Sequence, residues 1–219
     1  MPLRRHLALI AVLASLLAPA PLSAEPGPDS PLARAARTAG LRPTALRLAL
    51  RAQARATAAG LTTSPLLTVI DYGLPSRIRR LWVLDVRAGR VLAQELVAHG
   101  RGSGDDVAHR FSNRPGSLQS SLGLFLTGRV YRGKHGVSLR LRGLDPALNG
   151  RAEARAIVVH GADYVGERTI AALGRLGRSQ GCPALSREAA RRVIELIRNG
   201  TVLFAYHPSA TLESHLAAR

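Results

Sequence analysis

The 219-residue sequence has a single cysteine, Cys182, so no disulfide can form within the chain. It has a single lysine, Lys134, so nearly all of its 31 basic residues are arginine. No cluster of Cys and His has the short spacing of a structural zinc site, and no metal is expected. No serine sits in a G-x-S-x-G elbow. Gly100-Arg101-Gly102-Ser103-Gly104 lacks the Lys-Ser/Thr ending and the strand–helix setting of a phosphate loop. No cofactor is expected. There are no internal repeats and no heptads, and past the leader no apolar run reaches the roughly 20 residues of a membrane span.

The start of the chain reads as a signal peptide over residues 1–24. Arg4 and Arg5 form the positive region, Leu7 to Ala20 is apolar apart from Ser15, and Leu22-Ser23-Ala24 offers a cleavage site. The expectation is an exported protein of the periplasm or cell envelope, with no stable membrane span after cleavage. Removing residues 1–24 takes two arginines and no acid, which lowers the formal charge from +17 to +15. Export argues against nucleic acid as the partner, and anionic envelope polymers fit the same charge. The sequence leaves the oligomeric state open. A lone thiol outside the cytoplasm is exposed to oxidation, which is easiest to understand if the thiol does chemistry. A buried, inert cysteine is the alternative.

Residues 25–60 read as a linker followed by a helical arm. Ser30-Pro31 has the pattern of an N-cap with proline at the first helical position. Pro43 to Ala59 reads as an amphipathic helix with Leu46, Leu50 and Ala54 on one face, ending at Gly60. Residues 61–219 then read as one domain, mostly β with a few helices. Strands are expected at Leu66–Asp71, Leu81–Val86, Val91–Val97, Leu122–Tyr131, Val137–Leu141, Ala156–Val159 and Thr201–Tyr206, with a hairpin at Ala88-Gly89. Residues 99–121 are polar and too long for a plain connection, which marks a functional loop. Ser186 caps a helix that carries Ala190, Val193, Ile194 and Ile197 on its apolar stripe and ends at Asn199-Gly200.

Cys182 stands in Arg178-Ser179-Gln180-Gly181-Cys182-Pro183, a glycine-containing turn just ahead of that helix. Backbone amides in such a turn can lower a thiol pKa and hold an oxyanion, and Gly181 leaves room for a carbonyl to approach. A thiol also needs a base. Of the seven histidines, His160 is the best placed, because it ends an apolar strand and is held rigidly. Its alternative is a core histidine satisfied by backbone. His99 and His135 either line the cleft or satisfy turns. Arg178 either holds a substrate carboxylate or is an exposed solubilising residue.

Ile157-Val158-Val159-His160-Gly161, followed by Arg178-Ser179-Gln180-Gly181-Cys182-Pro183, resembles the L,D-transpeptidase (YkuD-type) catalytic domain, in particular its murein L,D-transpeptidase catalytic domain branch. Ser121-Leu122-Gly123-Leu124-Phe125 resembles the strand that this family carries ahead of its His, and the likeness spans about residues 65–208. The resemblance implies a β-sandwich-like catalytic domain with Cys182 as nucleophile, His160 as base and Ser179 positioning the loop. It also implies Gly181 and Cys182 amides in the oxyanion hole, and peptidoglycan stem peptides as partners. Gln180 stands where the broader family has His and cannot carry a proton. The long interval from His160 to Cys182 implies an enlarged loop with Tyr164 and Arg175. The implied reaction is acyl transfer through a Cys182 thioester, with an L,D-carboxypeptidase or another hydrolase as the variant on the same scaffold. A non-catalytic cell-wall-binding module is the alternative of another class.

Overall fold

The computed structural model describes residue 27, residues 29–209 and residue 212. The leader expected at residues 1–24, together with His6 and His215, lies outside the described residues. Among the described residues, no helix is long and apolar enough to cross a membrane.

Two helices lead into the sheet. Helix α1 (Pro31–Thr38) starts as its sequence predicts, with the Ser30 hydroxyl accepting from the Ala33 amide at 3.2 Å. Helix α2 (Pro43–Ala58) buries Ala45, Ala49, Ala52 and Ala56, a spacing that follows the 3.6-residue turn. These small residues let the helix lie close against β1 (Leu66–Asp71) and β8 (Val202–Tyr206). Ala54 is exposed rather than on the buried face. Each four-residue step drifts about 40° around the helix, so two steps from Leu46 carry position 54 off the buried stripe. Where the chain enters α2, Arg42 forms an ion pair with the fully buried Asp71 at the end of β1. Both helices belong to the same apolar cluster as the strands.

The remaining strands are β2 (Leu81–Asp85), β3 (Arg90–Glu95), β4 (Gly123–Gly133), β5 (Gly136–Gly143), β6 (Val158–Gly161) and β7 (Ala184–Leu185). All eight form one mixed sheet in the order β3-β2-β1-β8-β4-β5-β6-β7. The pairs β1–β8 and β6–β7 are parallel, and the others are antiparallel. Gly89 takes φ 67° in the turn joining β2 to β3. Central β8 is buried along its whole length, as a strand covered on both faces must be. The two outer edges of the sheet meet. Ala98, just beyond β3, bridges to Ala184 of β7 with backbone hydrogen bonds of 2.8 and 3.3 Å. This closure leaves neither edge open along that stretch.

Helix α4 (Arg187–Ile197) covers β6, capped by Ser186 and packed through Ala190, Val193, Ile194 and Ile197. Two elements have no forecast in the sequence. Helix α3 (Glu167–Leu173) buries none of its residues and so carries no apolar stripe. Strand β7 is two residues long, too short to show an alternation.

Candidate active site

His160 lies on β6 and is 2 % exposed. Its backbone partner across the parallel ladder is Ala184, two residues after Cys182, and its amide reaches Pro183 O at 3.4 Å. Two residues back in that register, Cys182 falls beside Val158. Residues i and i+2 of a strand face the same way, so Val158 and His160 share a face. The sheet thus brings the Cys182 loop alongside the strand that carries His160, 22 residues earlier in sequence.

The His160 Nδ1 lies 3.0 Å from Gly161 O. A carbonyl only accepts, so Nδ1 carries the proton and Nε2 keeps its lone pair. Burial pushes the His160 pKa down, with His135 and Lys134 lowering it further and the Gly161 carbonyl opposing. The ring is therefore a neutral base. His135, exposed at the tip of the β4–β5 hairpin, stacks on it with centroids 4.3 Å apart and planes 26° apart.

Cys182 is half-buried. Burial pushes its thiol above the ordinary value, while the Val158 backbone, the Arg155 guanidinium and Lys134 pull the other way. Its Sγ donates to Ala156 O at 3.7 Å, and no hydrogen bond joins it to the His160 ring among the described residues. The resting pair is therefore thiol and neutral imidazole, not an ion pair.

The loop carrying Cys182 is pinned from below. The Ser179 hydroxyl accepts from the Gly181 amide at 3.0 Å and donates to Cys182 O at 2.6 Å. The Ser179 amide donates to His99 O at 2.9 Å, and the Arg101 amide donates to Ser179 O at 2.8 Å. Gly181 takes φ 123°, a region open to glycine, and its carbonyl accepts from the Ser120 hydroxyl at 3.1 Å. The polar stretch 99–121 is the cradle of this loop. In this loop the Gly181 amide is engaged by Ser179, whereas the Cys182 amide has no hydrogen-bond partner among the described residues.

The other expected site residues divide. Tyr164 is half-buried, and burial first, then the charge of a Cys182 thiolate nearby, pushes its pKa up to about 12. Gln180 is exposed beside Gly181 and makes no hydrogen bond among the described residues. Arg178 donates to Gly104 O at 3.1 Å and pairs with Asp105 at 2.5 Å, so it ties two loops together instead of standing free for a substrate. His99 does not line the cleft. It is fully buried, Nδ1 takes a hydrogen bond from Arg80 at 2.7 Å, and Nε2 lies 3.3 Å from Gly104 O. Burial first, then Arg80, lowers its pKa to about 4.

Sequence reasoning missed Arg155. Its guanidinium binds Ser112 O and Ser121 Oγ, both at 2.6 Å, and also Ser117 Oγ at 3.2 Å and Gln119 O at 2.6 Å. It is a fixed cation whose charge favours the Cys182 thiolate. In a chain this rich in arginine, no local signal separates it from its neighbours. Ser120 was missed for a similar reason, because its role exists only through Gly100 and Gly181.

A thiol, a buried tautomer-fixed imidazole and a free amide on a glycine-held turn define a candidate cysteine acyl-transfer site on a mixed β-sheet. The profile of the L,D-transpeptidase catalytic domain matches residues 37–206, well over half of the chain, and the chain belongs to that family. Among solved structures, it is similar to an L,D-transpeptidase from Mycobacterium smegmatis. The identity is 14 %, with 65 % of this chain and 59 % of that one covered and a TM-score of 0.41. It is also similar to the L,D-transpeptidase from Xylanimonas cellulosilytica (18 %, 69 % and 68 %, TM-score 0.40). A third is the helical cell shape determining protein of Campylobacter jejuni (10 %, 69 % and 54 %, TM-score 0.41). The chain thus spans about three fifths of the length of the mycobacterial structure. No curated protein matches the sequence.

Proposed function

We propose that this domain is a cysteine acyltransferase acting on peptidoglycan stem peptides by L,D-transpeptidation. The observation that carries the reading is the parallel register of His160 with Ala184, which sets a neutral imidazole next to the Cys182 loop. Family membership supports the substrate class. The leader pattern at residues 1–24 supports export to the periplasm or cell envelope.

In this reading Cys182 Sγ attacks the carbonyl of the L,D amide after diaminopimelate in a tetrapeptide stem. His160 Nε2 takes the thiol proton as the C–S bond forms and returns it to the leaving nitrogen, so that D-Ala departs. The Cys182 amide donates to the developing oxyanion, and Arg155 stabilises negative charge near the sulfur. An amine then attacks the thioester, the C–N bond forms, the C–S bond breaks and its proton passes through His160 to the sulfur. Water in place of the amine gives carboxypeptidase action. Cys182 is only partly buried, and water that enters beside it would favour this hydrolytic second reading.

The test is intact mass spectrometry with a tetrapeptide stem. The expected result is a mass gain on Cys182 with release of D-Ala, and covalent labelling of the same residue by a carbapenem. Folded Cys182→Ala protein that still turns over the stem would overturn the proposal. Product analysis with and without an acceptor amine separates transfer from hydrolysis.

A further inference from the structure

Arg80 stands just ahead of β2 and is fully buried. Among the described residues no carboxylate pairs with it, and the nearby Asp71 is engaged by Arg42. Its guanidinium instead donates to Val97 O, through Nε at 3.1 Å and Nη2 at 3.0 Å, to Leu74 O through Nη1 at 2.5 Å, and to His99 Nδ1 at 2.7 Å. Its flat face lies over the Tyr72 ring, 5.3 Å from the centroid. We infer that Arg80 is the positioning residue of the nucleophile turn, a buried cation that holds Cys182 in register by fixing His99 on one side and Tyr72 on the other. The inference rests on the acyl-transfer reading above and adds to it a residue that acts on Cys182 without touching the substrate.

Two paths lead from Arg80 to Cys182. The first runs through His99. Arginine only donates, so His99 Nδ1 accepts and Nε2 carries the proton, which it gives to Gly104 O. A ring held at both nitrogens fixes the backbone that carries it, and residues 98–101 bracket the turn. On one side of Cys182, Ala98 exchanges backbone hydrogen bonds with Ala184. On the other, His99 O takes the Ser179 amide and the Arg101 amide donates to Ser179 O. The second path runs through the buried Tyr72, whose hydroxyl lies within hydrogen-bonding reach of Ser120. Ser120 Oγ takes the Gly100 amide at 3.0 Å and donates to Gly181 O. Both paths end on the turn itself, at Gly181 and at Ser179, whose hydroxyl holds Cys182 O.

A guanidinium shut away from water without a carboxylate is costly, and stability alone would be served as well by an apolar side chain of similar volume. Burial pulls the Arg80 pKa down to about 10, with Tyr72 and Asp71 opposing, so the group stays charged at neutral pH. What an apolar side chain cannot do is join Leu74 beyond β1, Val97 and His99 beyond β3, and the Tyr72 ring at one point. A planar fork offers donors at fixed angles and a face for stacking, and an ammonium group cannot reach the same acceptors while lying on the ring. The donors of Arg80 are thus spent on the segments that meet under the nucleophile. Such a polar network, once satisfied, specifies a single arrangement of its members.

The experiment pairs His99→Asn, whose Oδ1 can take the Arg80 hydrogen bond in place of Nδ1, with His99→Leu, which cannot. Arg80→Lys, which keeps the charge and loses the fork, is measured beside them. Single-turnover acylation of Cys182 by the tetrapeptide stem is followed on folded protein. His99→Leu and Arg80→Lys should lose about 10²-fold in the maximal rate, the cost of misplacing a reacting atom from a distance, with the half-saturating donor concentration unchanged. His99→Asn should restore most of that rate. Amide hydrogen exchange at residues 179–184 should be faster in His99→Leu than in the wild type, and close to wild type in His99→Asn. Equal behaviour of His99→Leu and the wild type, equal losses in His99→Asn and His99→Leu, or a loss confined to donor affinity overturns the inference. A wild type that forms no thioester refutes the underlying acyltransferase reading instead, and the exchange comparison then decides the role of Arg80 by itself.

Discussion

Gly100 and Gly181 pack backbone against backbone: a Cβ on Gly100 would lie 2.8 Å from Gly181 Cα, 2.9 Å from Gly181 N and 2.3 Å from Leu118 O. All three obstacles are main chain, so none can swing aside. Gly100→Ala should therefore push the Cys182 loop off its cradle. Overpacking of this kind costs about 1–3 kcal/mol. The expected outcome is a lower melting temperature together with a loss of Cys182 acylation. A variant with full activity would show that the loop is not held by this contact.

The thiol and the imidazole should titrate apart. Burial raises the Cys182 pKa, so thiolate accumulates only above the ordinary thiol range. Alkylation of the folded protein by iodoacetamide should be slow at neutral pH and rise on the alkaline side. The His160 pKa is lowered, so the acid limb of the acylation rate should fall below the ordinary histidine value. Rapid alkylation at pH 6 would mean a pre-formed ion pair and contradict the resting state described above. A thiol of ordinary reactivity, with murein binding that is sensitive to salt and indifferent to Cys182→Ser, would favour a wall-binding module.

His160→Gln keeps a polar side chain of similar reach and removes the base. Acylation by the donor should slow by about 10²–10⁴-fold, the usual weight of a positioned general base. Stopped-flow measurement of thioester formation reads this directly, and a loss below threefold would assign the proton to another group.

Arg155→Met should remove the fixed cation near the sulfur while filling much the same space. The alkylation profile of Cys182 should shift further to the alkaline side, because the charge that favours the thiolate is gone. An unmoved profile would leave Arg155 as a tie between loops and nothing more.

Stability should fall in mild acid. His99 has a folded pKa of about 4 against 6.5 for the free side chain. Below pH 6.5 the unfolded chain binds a proton that the folded chain refuses. The contribution is thus complete above 6.5 and is lost as pH falls towards 4, in all about 3 kcal/mol. Chemical denaturation from pH 7 to 4 should show this loss, reduced in His99→Gln. His160, His135 and His207 are also lowered and deepen the same trend.

Much of the frame was legible along the chain. Ser30-Pro31 and Ser186 begin helices because a hydroxyl can satisfy an amide within the first turn, and such bonds are local. Leu66–Asp71 is a strand in the sequence and in the structure, since its apolar run is what a twice-covered strand requires. Helix α3 and strand β7 were not legible, because neither has enough buried residues to write a pattern.

Sequence alone fixed which atoms are available: one sulfur in a glycine-containing turn before a helix cap, and an imidazole at the end of an apolar strand. It could not say which amide the turn would spend, and Ser179 takes that of Gly181. Nor could it say that His99 is locked beneath the loop by Arg80, that Arg155 lies near the sulfur, or that His135 covers the base. Caps, turns and periodicity act between neighbours a few residues apart. Burial, and the partners that burial forces on polar groups, come from segments that meet only when the sheet closes.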